Sequence, residues 1–110
     1  MSIKPYSFAD GIYYRLGKKL TKQETGIVLV SCKTLLGKFS EKGWQDFEVW
    51  AFVDNLIYQM QKNQIPRSFR MFYTLACGFL CSPVYTDNTV ATDQRYAEWI
   101  QNEIERLKTT

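Results

Sequence analysis

Side chains that commonly perform acid–base or metal chemistry are scarce in this 110-residue chain, which has no histidine and three cysteines. Without histidine, the chain has no His-dependent catalytic triad and no imidazole ligand for zinc. Cys77 and Cys81 lie four residues apart on one face of an expected helix, but no further Cys or His pair completes a tetrahedral site. Cys32 has no neighbouring base to activate its thiol. We therefore expect no metal and no cofactor.

One acidic group remains as a candidate general acid or base. Asp54 precedes Tyr58 by one helical turn and lies beside an apolar stripe. A half-buried carboxylate there can have a raised pKa, as acid–base catalysis requires. Carboxylates in such positions more often cap a helix or pair with a basic side chain. We predict a protein that is not an enzyme, and keep a catalyst or small-molecule binder with an aromatic pocket around Asp54 and Tyr58 as the alternative.

The charge distribution is more informative than the formal net charge of +3. Residues 1–42 contain eight basic and three acidic groups, whereas residues 43–86 contain three of each. Residues 87–110 contain three basic and five acidic groups. The chain is therefore basic at one end and acidic at the other, a polarity that favours binding to another macromolecule or to a second copy.

A cluster of basic residues accounts for much of the N-terminal charge. Four of its members are spaced three or four residues apart, so we expect them to project from neighbouring positions on a helix surface. The cluster comprises Arg15, Lys18, Lys19, Lys22 and, on the next helix, Lys33. Such a cluster can neutralise several phosphates without reading bases, which predicts a nucleic-acid backbone as one ligand. The alternative is a solvated surface with exposed lysines.

A second basic segment alternates arginines with aromatic residues. Arg67 and Arg70 lie one turn apart among Phe69, Phe72 and Tyr73. The arginines can grip phosphates or stack on bases. The three aromatic residues also have the spacing of a buried helix face, so core packing with incidental arginines is the favoured explanation. The sequence does not decide between RNA, DNA and neither.

Aromatic residues are numerous, with seven Phe, seven Tyr and three Trp. Because each ring buries about 150–250 Å², we expect some of them to remain on the surface. Tyr13, Tyr14, Trp44 and Trp99 lie outside or at the margins of the apolar stripes. Exposed Tyr and Trp are typical of protein interfaces, so these four are our candidates for contact with a protein partner.

Helical periodicity runs through nearly the whole chain. Ser7 is the expected cap of the first helix and Thr21 opens a capping box for the second. The β-branched run at residues 26–30 leaves a short strand open as an alternative there. The expected helices cover about residues 8–20, 21–36, 44–64, 66–81 and 93–108, with residues 82–92 as a connecting loop.

The third expected helix is apolar on most sides, which is typical of a central helix. One stripe comprises Val49, Phe52, Val53, Leu56 and Met60, and a second comprises Phe47, Trp50, Ala51 and Tyr58. We therefore predict an all-α fold: a compact bundle of about five helices around a central hydrophobic third helix. Residues 1–110 are expected to form a single helical domain.

Compartment and class follow from the same observations. The N-terminus lacks the apolar segment of a secretory signal, and no apolar run reaches the roughly 20 residues that a bilayer requires. An odd number of cysteines indicates reduced thiols, so we expect a cytoplasmic protein that does not enter membranes. In size, helix content and charge the chain resembles the small helical subunits of ribonucleoprotein effectors such as CRISPR complexes, a resemblance of overall plan that assigns no residue a role.

These observations converge on binding. We predict a non-catalytic helical subunit or adaptor that associates with a protein partner or with itself. Its basic N-terminal third is expected to hold an RNA or DNA backbone within a larger assembly. An inhibitor or regulator of a larger enzyme would show the same surface properties and stays open as a further alternative.

Overall fold

The computed structural model describes residues 2–81 and 93–108. Within these ranges the chain is an all-α bundle of five helices and has no strand, as the sequence predicted. The helices are α1 (Pro5–Leu16), α2 (Lys22–Glu41), α3 (Asp46–Lys62), α4 (Phe69–Cys81) and α5 (Asp93–Lys108). Residues 26–30, which left a strand possible, are helical within α2. The loop expected at residues 82–92 lies outside the described residues.

Helix α1 begins and ends earlier than its periodicity indicated. Pro5 occupies the first turn, where its fixed φ suits a helix and its missing N–H leaves no donor unsatisfied. Gly17 ends the helix in the left-handed conformation at φ 71°, which glycine adopts without a Cβ clash. The Lys18 N–H then donates to the Tyr13 carbonyl over 3.0 Å. Lys18 and Lys19 therefore lie on the connection between α1 and α2, not on α1 as expected.

Helix α2 is longer than predicted at its C-terminal end. Its start follows the capping pattern, since the Glu24 N–H donates to Thr21 Oγ1 over 3.3 Å. Gly37 was expected to follow the helix as its C-terminal cap, and inside a helix a glycine costs about 1 kcal/mol relative to alanine. The helix continues to Glu41 and thereby buries Phe39 completely. Burial of a Phe side chain contributes about 1.5–3 kcal/mol and outweighs the glycine.

The next two helices begin after local hydrogen bonds that satisfy backbone donors. At α3, the Gln45 N–H donates to Glu48 Oε1 over 2.8 Å, as in a capping box. At α4, the Met71 N–H donates to Ser68 Oγ over 3.2 Å. Pro66 was predicted in the first turn of α4, but that helix begins at Phe69 because Ser68 supplies the cap.

Helices α3 and α4 are both central: α4 contacts the other four described helices, and α3 contacts α1, α4 and α5 as well as α2 through a ring pair. Aromatic rings join these elements: Phe52 of α3 packs against Phe39 of α2 with ring centroids 5.2 Å apart and against Phe79 of α4 at 5.1 Å. The second apolar stripe expected on α3 packs only in part, since Trp50 is half-buried against Phe8. Phe47 and Tyr58 are exposed, because one flank of α3 has no described helix against it. No helix in the described part of the chain is both long and apolar enough to span a membrane.

Candidate functional site

The connection between α1 and α2 displays the first part of the basic cluster. Gly17 turns the chain away from α1, which leaves Lys18 and Lys19 exposed, and Lys22 is the exposed first residue of α2. Across residues 2–81 and 93–108, none of these three ammonium groups forms an ion pair. Their charge is therefore available to an external anion.

Beside these lysines lies a surface depression of about 390 Å³, here named the tyrosine–lysine groove. Its lining residues are Tyr6, Asp10, Gly11, Tyr13, Tyr14, Lys18, Lys19 and Leu20. Tyr14 and Tyr6 are 83% and 60% exposed. Asp10 contributes the one carboxylate of this lining set. The groove thus combines accessible aromatic faces with two ammonium groups.

A second depression, of about 290 Å³, lies between α2 and the start of α4 and is named the α2–α4 groove. Ile27, Val28 and Phe69 make much of its lining apolar, and Arg70 lies at the same groove. Tyr13 lines both depressions, so the two are neighbours. Arg70 therefore lines a groove that adjoins the one lined by Lys18 and Lys19, although it is more than 50 residues away along the chain.

Tyr13 forms the partition between the two grooves. Its ring stacks on Phe69 with centroids 5.6 Å apart, and its hydroxyl donates to Glu24 Oε2 over 2.8 Å. Burial, and then the hydrogen bond and negative charge of Glu24, raise the pKa of Tyr13 well above its ordinary value. The surface position expected for Tyr13 is wrong, since its ring is 6% exposed. Tyr13 shapes the site as a neutral wall.

Arg15, expected among the phosphate-binding residues, is held within the chain instead. Its Nε donates to Asp54 Oδ1 over 2.5 Å, and its Nη1 donates to the Gly11 carbonyl over 3.0 Å. The guanidinium carbon also lies 4.5 Å from the centroid of the Trp50 ring, within the range of a cation–π contact. These contacts join α1 to α3 and occupy donors that a phosphate would need.

The same ion pair defines the environment of Asp54, the candidate acid or base. Its carboxylate is exposed and accepts from Arg15. Tyr58 lies one turn further along α3 and is 59% exposed. Neither side chain lines the tyrosine–lysine groove or the α2–α4 groove. Asp54 therefore pairs with a basic side chain, which is the structural role that the sequence allowed beside the catalytic one.

The remaining basic candidates are dispersed. Lys33 is exposed on α2. It follows Lys22 by eleven residues, so the two lysines lie on the same face of the helix, about 16 Å apart along its axis. Arg67 is exposed just before α4, and Arg70 is exposed within its first turn. Of these, Arg70 alone lines one of the two grooves. The structure thus brings Lys18 and Lys19 together at one groove, places Arg70 at the adjoining groove, and leaves Lys33 and Arg67 outside both.

The tryptophans expected at a protein interface pack against the chain itself. Trp44 is 5% exposed and meets Phe39 edge-on, with ring centroids 5.0 Å apart. Its surface position was predicted wrongly, because the turn after α2 folds its ring into the core. Trp99 is half-buried and meets Phe79 edge-on at 5.0 Å. Among the four interface candidates, Tyr14 alone has most of its ring exposed.

Tyr6 was missed by sequence reasoning and is part of the tyrosine–lysine groove. Its signal was available, because Tyr6, Asp10 and Tyr14 follow one another at intervals of four residues. That spacing places all three on one side of a helix. The spacing was not recognised, because a helix cap was expected at Ser7 and Tyr6 would then lie before the helix.

The cysteines are unpaired thiols in three environments. Cys32 is buried, and desolvation raises its pKa to about 12. Cys77 is half-buried, and exposed Cys81 has the Lys38 Nζ donating to its Sγ over 3.7 Å. Within the described residues, no group of three or more Cys, Asp or Glu side chains is placed to hold a metal ion.

Comparisons with protein-family models, with curated proteins and with solved structures find no match to this chain. The function is therefore inferred from the geometry of the site.

Proposed function

We propose that this protein is a small helical adaptor that binds a nucleic-acid backbone through its basic N-terminal third, as part of a larger assembly. The observation that carries the proposal is the set of exposed lysines around the tyrosine–lysine groove. Lys18, Lys19 and Lys22 have no carboxylate partner among the described residues. Lysine ammonium groups of this kind neutralise phosphates and release condensed counterions.

The chemistry of the groove favours binding over bond making. Its charged groups are two lysines and one aspartate, and an ammonium group holds a phosphate as a point charge, without bidentate geometry. Contacts of this type fix a backbone without reading base sequence. We accordingly propose affinity for nucleic acid with little sequence preference and without catalysis.

Other exposed surfaces support the adaptor part of the proposal. Phe47 on α3 is 73% exposed. Exposed aromatic residues are enriched where proteins meet. Helix α5 presents the exposed carboxylates of Glu98 and Glu105, which complement a basic partner or the basic third of a second copy. We place this activity in the cytoplasm, because the three cysteines are unpaired thiols.

The experiment is a fluorescence-anisotropy titration of labelled 20-nucleotide RNA and DNA at 50 and 200 mM salt. Lys18→Glu is the test variant, and Lys62→Glu is its control, since both lysines are exposed and Lys62 lies at the far end of α3. We expect Lys18→Glu to weaken binding roughly three- to tenfold and to lower the slope of log affinity against log salt by about 0.7–0.9.

Two outcomes contradict the proposal. One is the absence of measurable binding to any of the oligonucleotides at 50 mM salt. The other is an equal loss for Lys18→Glu and Lys62→Glu, because a general effect of net charge would then explain the affinity. Circular dichroism of both variants verifies that each remains folded.

A further inference from the structure

Two tyrosines on the solvent side of α1 are left largely exposed by the described helices. Tyr14 exposes 83% of its surface and Tyr6 exposes 60%, although each ring could bury about 150–250 Å². Both line the tyrosine–lysine groove together with Lys18 and Lys19. Two open aromatic faces beside two ammonium groups form a surface of specific chemistry.

We infer that the tyrosine–lysine groove takes single-stranded nucleic acid, with bases stacked on Tyr6 and Tyr14 and the backbone held by Lys18 and Lys19. The inference rests on the proposed function and specifies its ligand. A single strand exposes the faces of its bases, whereas a duplex encloses them in its own stack. Stacking on an aromatic side chain tolerates any base, because every base has a π face.

The dimensions of α1 suit a short strand. Tyr6 and Tyr14 are eight residues apart, which corresponds to about 12 Å along a helix axis. At the rise of about 3.4 Å per stacked base, that distance spans three to four base steps. A strand of four or five nucleotides therefore reaches both rings, within the range of about 4–16 nucleotides that single-strand binding domains cover.

Asp10 provides an internal test, because it lies one turn from each tyrosine and lines the same groove. Its carboxylate repels a phosphate in the same groove and attracts the basic part of a protein ligand. Asp10→Asn removes that charge with little change of shape. We expect this variant to bind single strands about two- to fivefold more tightly, as for one exposed charge interaction.

The decisive experiment compares three ligands of equal length: an unstructured 12-nucleotide single strand, the same backbone without bases, and a 12-base-pair duplex. Binding is measured by anisotropy with the full chain and with the variants Tyr6→Ala and Tyr14→Ala. Tyr58→Ala is the matched control, since Tyr58 is 59% exposed and lies outside the groove.

We expect the single strand to bind more tightly than the other two ligands. Tyr14→Ala should weaken single-strand binding roughly five- to a hundredfold, the range of one stacked base. Tyr14→Phe, which keeps the ring, and Tyr58→Ala should change it less than twofold. The salt slope should stay the same in Tyr14→Ala and fall by about 0.7 in Lys18→Gln, which separates stacking from phosphate contact.

Each contrary outcome has a distinct meaning. The stacking inference is wrong if the single strand binds Tyr14→Ala and Tyr58→Ala with equal affinity. It is also wrong if the backbone without bases binds as tightly as the single strand. In both cases the proposed function stands. Equal or tighter binding of the duplex also overturns the inference. If none of the three ligands binds, both proposals fail, and the groove is left as a surface for a protein partner.

Discussion

Gly11 of α1 lies against the ring of Trp50 on α3. A Cβ at position 11 would lie 2.5 Å from Trp50 Cη2 and 2.8 Å from Cζ3, whereas carbon atoms in contact prefer about 3.5–4.0 Å. The ring has little room to retreat, because it packs edge-on against Phe8 at 5.5 Å and has the Arg15 guanidinium over its face. We therefore expect Gly11→Ala to destabilise the protein.

The magnitude follows from two opposing effects. Alanine in place of a helical glycine stabilises a helix by about 1 kcal/mol. Overpacking a side chain against a fixed neighbour costs about 1–3 kcal/mol, and displacement of Trp50 also weakens its contact with Arg15, by about 0.5–1 kcal/mol. The expected balance is a loss of about 0.5–3 kcal/mol in the free energy of unfolding, at about 4 °C in Tm per kcal/mol for a chain of this size.

Gly26→Ala is the matched control, because Gly26 is also helical and a Cβ there would meet nothing within 4 Å. The helix-propensity effect acts alone in this variant, so we expect a gain of about 0.5–1 kcal/mol. Urea unfolding followed by circular dichroism measures both variants under identical conditions. Opposite signs are expected from the same chemical change.

A double-mutant cycle with Trp50→Leu isolates the clash. The smaller side chain leaves room for the added methyl group, so the loss caused by Gly11→Ala should shrink by about 1 kcal/mol or more in that background. If Gly11→Ala stabilises the protein as much as Gly26→Ala does, the Trp50 ring does not restrict position 11, and the predicted clash is refuted.

Two further predictions concern a buried thiol and a helix cap. Because burial raises the pKa of Cys32 from 9.0 to about 12, the folded state keeps a proton above pH 9 that the unfolded state releases. The free energy of unfolding should therefore fall by about 1.4 kcal/mol per pH unit above pH 9. In urea titrations between pH 8 and 10, the free energy of unfolding of Cys32→Ala should depend less steeply on pH than that of the unaltered protein. An equally steep dependence would contradict the raised pKa of Cys32. Thr21→Ala removes the hydroxyl that accepts from the Glu24 N–H and should cost about 1 kcal/mol, whereas Thr21→Ser should cost little in the same unfolding assay.

Local patterns were sufficient to predict the five helices and the Thr21 cap of α2. The apolar periodicity of a helix and the hydroxyl of its cap act within a few residues, so the sequence contains them directly. The predicted positions of the helix ends were less accurate where the local preference of a residue and the packing of distant residues oppose each other. At Gly37 the local preference favours an end, but burial of Phe39 in the core carries α2 onward to Glu41.

The candidate site was only partly predictable, for the same reason. Exposed lysines could be inferred from charge and spacing, and Lys18, Lys19 and Lys22 are indeed exposed. Their position on a connection instead of a helix depended on the left-handed turn at Gly17. Tyr14 and Tyr13 are consecutive in the sequence, yet one ring lies open and the other stacks on Phe69. Periodicity identifies the faces of a helix without specifying which element covers each one.

The sequence by itself determined an all-α chain with a basic N-terminal third and no histidine-based chemistry, because composition and short-range periodicity are properties of neighbouring residues. The tertiary structure decided which charges are available. It pairs Arg15 with Asp54, 39 residues away, and thereby withdraws both from the surface chemistry expected of them. It also brings Arg70 to the groove beside the one formed by Lys18 and Lys19, with Tyr13 between them. Contacts between distant residues arise only when the helices pack, so no local pattern encodes them.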